Sequence, residues 1–386
     1  MAQIQGTCDP KFEDVRTQLQ QFVESGEELG AAITVNLDGK DVVDLWGGYT
    51  DQEHNKPWGK DTIVTIFSST KTVLSLAILM LVDRKVLSIN DKVSKFWPEF
   101  AANGKENIEI RHILSHTSGV SGWDADRPLS FEEISNLDEA NAKLAAQAPW
   151  WEPGSASGYH AWTFGHLLAE IVSRATGSTL IEFVTEEIVK PLGVDFQFGV
   201  SESDLSRTTD VVPAPLPPLG PGVGPQPGSL TFKTMNPMPM PSHFANGPTW
   251  RQGSILSASG HTNSRALTRI LSTISLGGNV DGKRLLSQET VDLIFEEQSN
   301  GLDLVICAPL RFGVGYGITG EGGTAVADFL PNGRVCFWAG MGGSFAVMDL
   351  DRKLTITYVM NKMSLSGLGN DAAKAYIKAV YKAMDA

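Results

Sequence analysis

A chain of 386 residues, 42% hydrophobic and with a formal net charge of −13, can bury a sizeable core but lacks the basic footprint that nucleic acid or an anionic membrane surface requires. Its three cysteines, Cys8, Cys307 and Cys336, are odd in number and unpaired in spacing, which suits a reducing compartment better than a disulfide framework. The N-terminus mixes Asp9, Lys11, Glu13 and Asp14 with few apolar residues, and the longest apolar run stops at Asp83, Arg84 and Lys85, so neither a signal-peptide core nor a bilayer span is expected and the protein reads as soluble and cytoplasmic.

Taken in chain order, residues 12–23 predict an amphipathic helix. Residues 31–37 and 41–46 predict a β-hairpin, with Asp38-Gly39 as a type I′ turn. The apolar run 72–82, opened by Ser68-Ser69-Thr70-Lys71, predicts a buried helix over 68–86. Helical patterns recur at 110–114, 131–146, 164–176 and 180–189. Between 211 and 248 the composition changes abruptly: eleven prolines stand with Met235, Met238 and Met240, which excludes regular helix or sheet. A loop this long is as readily a lid or binding loop as a plain connector. A helix over 265–275 follows, then strands at 334–338, 345–349 and 354–360, and a closing helix over 371–383. Strands thus cluster at both ends and helices fill the middle. The expected fold is α+β, one catalytic unit in which 1–67 and 305–386 build an antiparallel sheet flanked by helices. Residues 68–304 form a mainly helical insertion that carries the 211–248 loop.

Three clusters carry chemistry. Ser68 and Lys71 lie one helical turn apart and share a face, so the amine can reach the hydroxyl and activate an otherwise poor nucleophile. A helix N-terminus there also favours a developing anion. Chance alone gives about one Ser-x-x-Lys in a chain of this size; this is the only one here. The second cluster is Gly158-Tyr159-His160-Ala161, just before a helix. A tyrosine in such a place is usually a packed aromatic, but beside an ammonium group its pKa would be depressed, and Tyr159 could then accept the Ser68 proton and pass it to a leaving group. The third is Trp338-Ala339-Gly340-Met341-Gly342-Gly343-Ser344 between two strands. It reads either as a tight turn or as a close backbone approach supplying an oxyanion N–H beside that of Ser68.

With these clusters on the page, the chain resembles the serine β-lactamase and penicillin-binding-protein superfamily, most of all the class C-like esterases called family VIII carboxylesterases, and also a fungal acyltransferase of that superfamily that moves a short acyl chain onto a statin precursor. The resemblance runs through Asp44-Leu45-Trp46-Gly47-Gly48, Ser68 to Lys71, Phe96-Trp97-Pro98-Glu99-Phe100, Ile110 to Gly119 with its His116-Thr117-Ser118-Gly119 end, the Gly-Tyr-His-Ala tract, Gly260-His261 and Gly342-Gly343-Ser344. It implies that Ser68 is acylated, that Lys71 is its proton-handling partner and that Tyr159 is the general base. Met341 then gives the second oxyanion N–H, with Gly340, Gly342, Trp338 and His160 beside the substrate. Two departures stand out. Ala161 occupies the place of the β-lactamases' asparagine, and Trp338-Ala339-Gly340 that of their Lys-Thr-Gly. Trp338 offers one indole donor and no charge, so the resemblance points to neutral esters.

Rival readings are weaker. No Gly-x-Ser-x-Gly elbow of an α/β-hydrolase occurs. His112 and His116 have helical spacing but no glutamate between them in the manner of His-Glu-x-x-His, so neither metal nor cofactor is expected. The reading is a serine acyl-enzyme catalyst, hydrolase or acyltransferase, on a small ester or thioester with an alcohol as possible acceptor. A β-lactamase or D-amino-acid peptidase is the enzymatic alternative, and a non-catalytic scaffold of the fold is the alternative of another class.

Overall fold

The computed structural model describes residues 3–125, 127, 129–214, 226–235, 245–252 and 255–386. Met238, Met240 and much of the proline-rich stretch lie outside them. Nine strands form one antiparallel sheet: β1 (Gln5–Cys8), β2 (Gly30–Leu37), β3 (Lys40–Gly48), β4 (Ser299–Leu302), β5 (Pro309–Phe312), β6 (Gly317–Ile318), β7 (Val335–Ala339), β8 (Phe345–Asp349) and β9 (Leu354–Met360). Their order is β1-β3-β2-β9-β8-β7-β6-β5-β4, so the two ends of the chain meet where β2 pairs with β9. The β2–β3 turn has φ of 47° at Asp38 and 85° at Gly39, the two positive values a type I′ turn demands.

Alternation along β9 assigns the two faces of the sheet. Thr355 and Thr357 bond the hydroxyls of Ser275 (2.8 Å) and Thr268 (2.6 Å) on α4 (Ser264–Ser275). Tyr358, pointing the other way, packs on Tyr376 of α5 (Asp371–Asp385) with ring centroids 5.3 Å apart. α1 (Glu13–Ser25) lies against α5. In chain order, the two parts of the sheet are separated by α2 (Thr70–Asp83), buried over almost its whole length, and α3 (Thr163–Thr176), which packs against it and ends at Gly177 with φ of 76°. Two segments of the expected insertion nevertheless belong with the sheet: β4 is its outermost strand, and α4 covers one face.

β1, β4, β5 and β6 were not expected. They are short and, at the two edges, mostly exposed, so neither alternation nor β-branched content marks them. The helix expected over 131–146 is two, Phe131–Ser135 and Leu137–Ala146. Asn136 breaks it, because its side chain accepts the Glu139 N–H and caps the second helix. The helix expected from residue 68 begins instead as a 3₁₀ turn over Phe67–Ser69.

Candidate active site

A small sheet of Val64–Thr65, Gly260–Thr262 and Phe196–Phe198 delivers the chain to the head of α2. Phe67 then takes φ of 45°, a left-handed value that costs a non-glycine residue about 1–2 kcal/mol. Its ring is held on Trp250 at 5.6 Å. This kink sets Ser68, only partly buried, at the entrance of an otherwise buried helix.

Behind the serine, Lys71 is 3% exposed. Its Nζ lies 3.0 Å from Ser68 Oγ, 2.8 Å from the Ala161 carbonyl and 3.1 Å from the Ser257 carbonyl. No carboxylate takes part in these contacts. Burial holds its pKa well below the usual lysine value, so the neutral amine is favoured. A neutral amine has two hydrogens and one lone pair. The two carbonyls can only accept and take two hydrogens, so the charged form donates its third to Ser68 Oγ and the neutral form turns its lone pair there.

Tyr159 completes the cluster. Its phenol interacts with the Ser68 hydroxyl and accepts a hydrogen bond from Trp338 Nε1 at 3.3 Å. The Lys71 Nζ lies 4.9 Å from its ring centroid. The depressed phenol pKa expected from the sequence is not found. Burial raises it, and the hydrogen bonds it makes with Ser68 and Trp338 offset only part of that rise. The expectation weighed an ammonium neighbour and left out desolvation, which is the largest cause here.

The glycine cluster docks directly on the serine's flank. Ser344 Oγ donates to the Ile66 carbonyl at 2.8 Å and meets Ser69 Oγ at 3.0 Å. A side chain on Gly340 would stand 2.2 Å from that same carbonyl, so only glycine fits there. Gly340 N–H is spent on the Ser344 carbonyl at 2.7 Å. Among the described residues, the N–H groups of Ser68 and Met341 enter no backbone hydrogen bond outside the regular elements. Gly342 has φ of 91° and its carbonyl accepts from Ser364 N–H at 2.8 Å.

His160 does not join this group. It is fully buried, with Nε2 on Ser118 Oγ at 2.6 Å and Nδ1 on the Gly158 carbonyl at 2.8 Å. It stands behind the wall of the site and not among the residues facing substrate, which corrects its placement from the sequence. The missed parts are Ser257, whose carbonyl fixes Lys71, and two stretches of cavity wall, Val305-Ile306 and residues 363–368. Only the Ser/Gly-rich composition after β9, Ser364 to Gly369, hinted at a loop beside the glycine cluster.

A cavity of about 770 Å³ opens over Ser68. Phe67, Tyr159, Trp162, Met235, Trp338 and Met341 contribute to its wall, and no lysine, arginine, histidine, aspartate or glutamate lines it among the described residues.

The profile of the Beta-lactamase family matches residues 15–381. The chain belongs to that family. It is similar to the Esterase/beta-lactamase LipL of Mycobacterium tuberculosis, 28% identical over 93% of this chain and 83% of that protein. Among solved structures it is similar to a family VIII carboxylesterase, 30% identical with a TM-score of 0.89 over 98% of this chain and 99% of the other. A penicillin-binding-protein homologue from Caulobacter crescentus is 34% identical with a TM-score of 0.89, over the same shares. This member of the beta-lactamase family is an enzyme of the serine hydrolase type. Among its described residues no helix is long and apolar enough to cross a membrane.

Proposed function

We propose that this enzyme forms an acyl-enzyme at Ser68 from small neutral carboxylic esters and passes the acyl group to water or to a bound alcohol. The observation that carries this reading is a cavity with no charged side chain in its wall among the described residues, over a serine whose hydroxyl faces a buried amine whose pKa burial lowers. In the proposed sequence Lys71 takes the Ser68 proton as Oγ attacks the ester carbonyl. The oxyanion is held by the N–H groups of Ser68 and Met341, where stabilisation is usually a large catalytic term. Tyr159, kept protonated by its surroundings, relays a proton from Lys71 to the departing alkoxide. Water or an alcohol then reverses the steps and frees Ser68. Apolar walls exclude water from the acyl-enzyme, which favours an alcohol acceptor where one is bound. The acidic chain and the absence of disulfides among Cys8, Cys307 and Cys336 suit action in the cytoplasm.

The test is intact-mass spectrometry with p-nitrophenyl esters of graded chain length, with and without added alcohols. The wild type is expected to gain one acyl mass on the peptide bearing Ser68, and Ser68→Ala to gain none. An adduct that survives in Ser68→Ala sinks the assignment.

A further inference from the structure

Tyr159 is held by its main chain as much as by its ring. Three consecutive N–H groups are bound by just two residues. Gly158 N–H donates to the His116 carbonyl at 2.9 Å, Tyr159 N–H to Asp303 Oδ1 at 3.2 Å, and His160 N–H to His116 Nδ1 at 3.2 Å. The His116 ring also meets the Tyr159 ring edge-on at 4.9 Å.

Asp303 is fully buried. Its Oδ1 accepts two further N–H groups, from Val305 at 3.0 Å and Ile306 at 2.8 Å, the residues that form a wall of the cavity. Leu304 N–H adds a bond to the Ser157 carbonyl at 2.8 Å. Among the described residues Oδ2 has no hydrogen-bond partner. A carboxylate so placed is costly unless its bonds return something. What these bonds do is lock the Tyr159 loop to the cavity wall through a single oxygen.

We propose that Asp303, with His116 as the opposing jaw, is a positioning residue for proton transfer at Ser68: it fixes the Tyr159 phenol against the serine and ties it to the wall that seats the substrate. The inference rests on the proton-relay reading of Tyr159 above. Burial is the main cause that keeps that phenol protonated, and the Asp303 charge acts in the same direction.

The experiment measures acylation per titrated active site, by intact mass with a p-nitrophenyl ester, for Asp303→Ala and Asp303→Asn, each alone and in the Tyr159→Phe background. Asp303→Ala is expected to slow acylation by about 30-fold or more, and Asp303→Asn, whose amide oxygen still accepts the three N–H groups, to stay within about threefold. In Tyr159→Phe the alanine substitution is expected to add less than about threefold, because the group it positions is gone. A merely structural role would instead lower the melting temperature and the titratable fraction while leaving the rate per site intact, which would overturn the inference. So would a loss of equal size in both backgrounds. If Asp303→Ala does not fold, His116→Phe carries the test: it keeps the ring and removes the Nδ1 acceptor. A Tyr159-dependent loss of about tenfold supports the cradle, and no loss overturns it. An unimpaired Tyr159→Phe would remove the relay reading and this inference together. A crippled Tyr159→Phe beside an unimpaired Asp303→Ala would remove the inference alone.

Discussion

At the scale of the residue, the site turns on what burial does to two side chains. Burial disfavours the charged form of both Lys71 and Tyr159, and so works against both charges that a lysinium–tyrosinate pair would carry. Groups acting as a unit are strongly non-additive. Lys71→Ala and Tyr159→Phe are each expected to cut kcat/KM by roughly a thousandfold, with the double variant little worse. Steady-state kinetics of the four proteins check this, and losses that multiply would mean independent roles. Trp338 sets a second expectation. By the resemblance it takes the place of a β-lactamase cation, and the cavity wall offers none among the described residues. A substrate carboxylate buried there goes unpaired, at a cost of about 3–5 kcal/mol. p-Nitrophenyl butyrate is therefore expected to be turned over with a kcat/KM at least about a hundredfold above that of nitrocefin; comparable values would refute the reading of Trp338.

At the scale of the element, the short turn between β7 and β8 does more than join two strands. Ser344 anchors it to Ile66 and Ser69, and Gly342 hands its carbonyl to Ser364. Met341 directly precedes Gly342 and lines the cavity. At Gly342 a side chain would have to adopt φ of 91° and would approach Met360 and Met363 to 2.8 Å. The methionines can yield, so the main cost is backbone strain of about 1–3 kcal/mol. Gly342→Ala is expected to fold with a melting temperature lowered by several degrees, yet to lose more than tenfold in kcat/KM by tilting the Met341 N–H. A variant with wild-type kinetics would show that Met341 is not an oxyanion donor. Met235 of the 211–248 stretch, which the sequence left open between a binding loop and a plain connector, also lines the cavity.

At the scale of the whole molecule, one buried acid links folding to pH. Glu28 is 2% exposed and bonds the Tyr358 hydroxyl, which accepts from Asn370 at 3.1 Å. Burial pushes its carboxyl up to about 8, against a bond from Tyr358 that pulls it down. The folded state therefore binds a proton that the unfolded chain gives up near the ordinary glutamate value. Glu28's contribution to stability is complete below about pH 4.5 and falls as the pH rises towards about 8, by a few kcal/mol in all. Thermal melts from pH 5 to 9 are expected to fall more steeply for the wild type than for Glu28→Gln, which has no proton to lose. Parallel curves would show that Glu28 does not titrate in the folded protein.

The chain by itself determined what short-range geometry determines. Three-residue spacing on a helix puts Ser68 beside Lys71, Asp38-Gly39 turns a hairpin, and the order of the motifs identifies the family. The absence of a cation at Trp338 is equally plain. Contacts across the fold decided the rest. The Lys71 pKa is lowered because burial strips its solvation, and its acceptor at Ser257 lies 186 positions away. Burial likewise reverses the direction expected for the Tyr159 phenol. His160 is turned away by Ser118, Gly340 spends its N–H on Ser344, and Asp303 reaches Tyr159 across 144 positions. Periodicity reports on neighbours within a turn or a pleat. Register between the two halves of the sheet, and the dielectric it creates, exist only once the chain has folded.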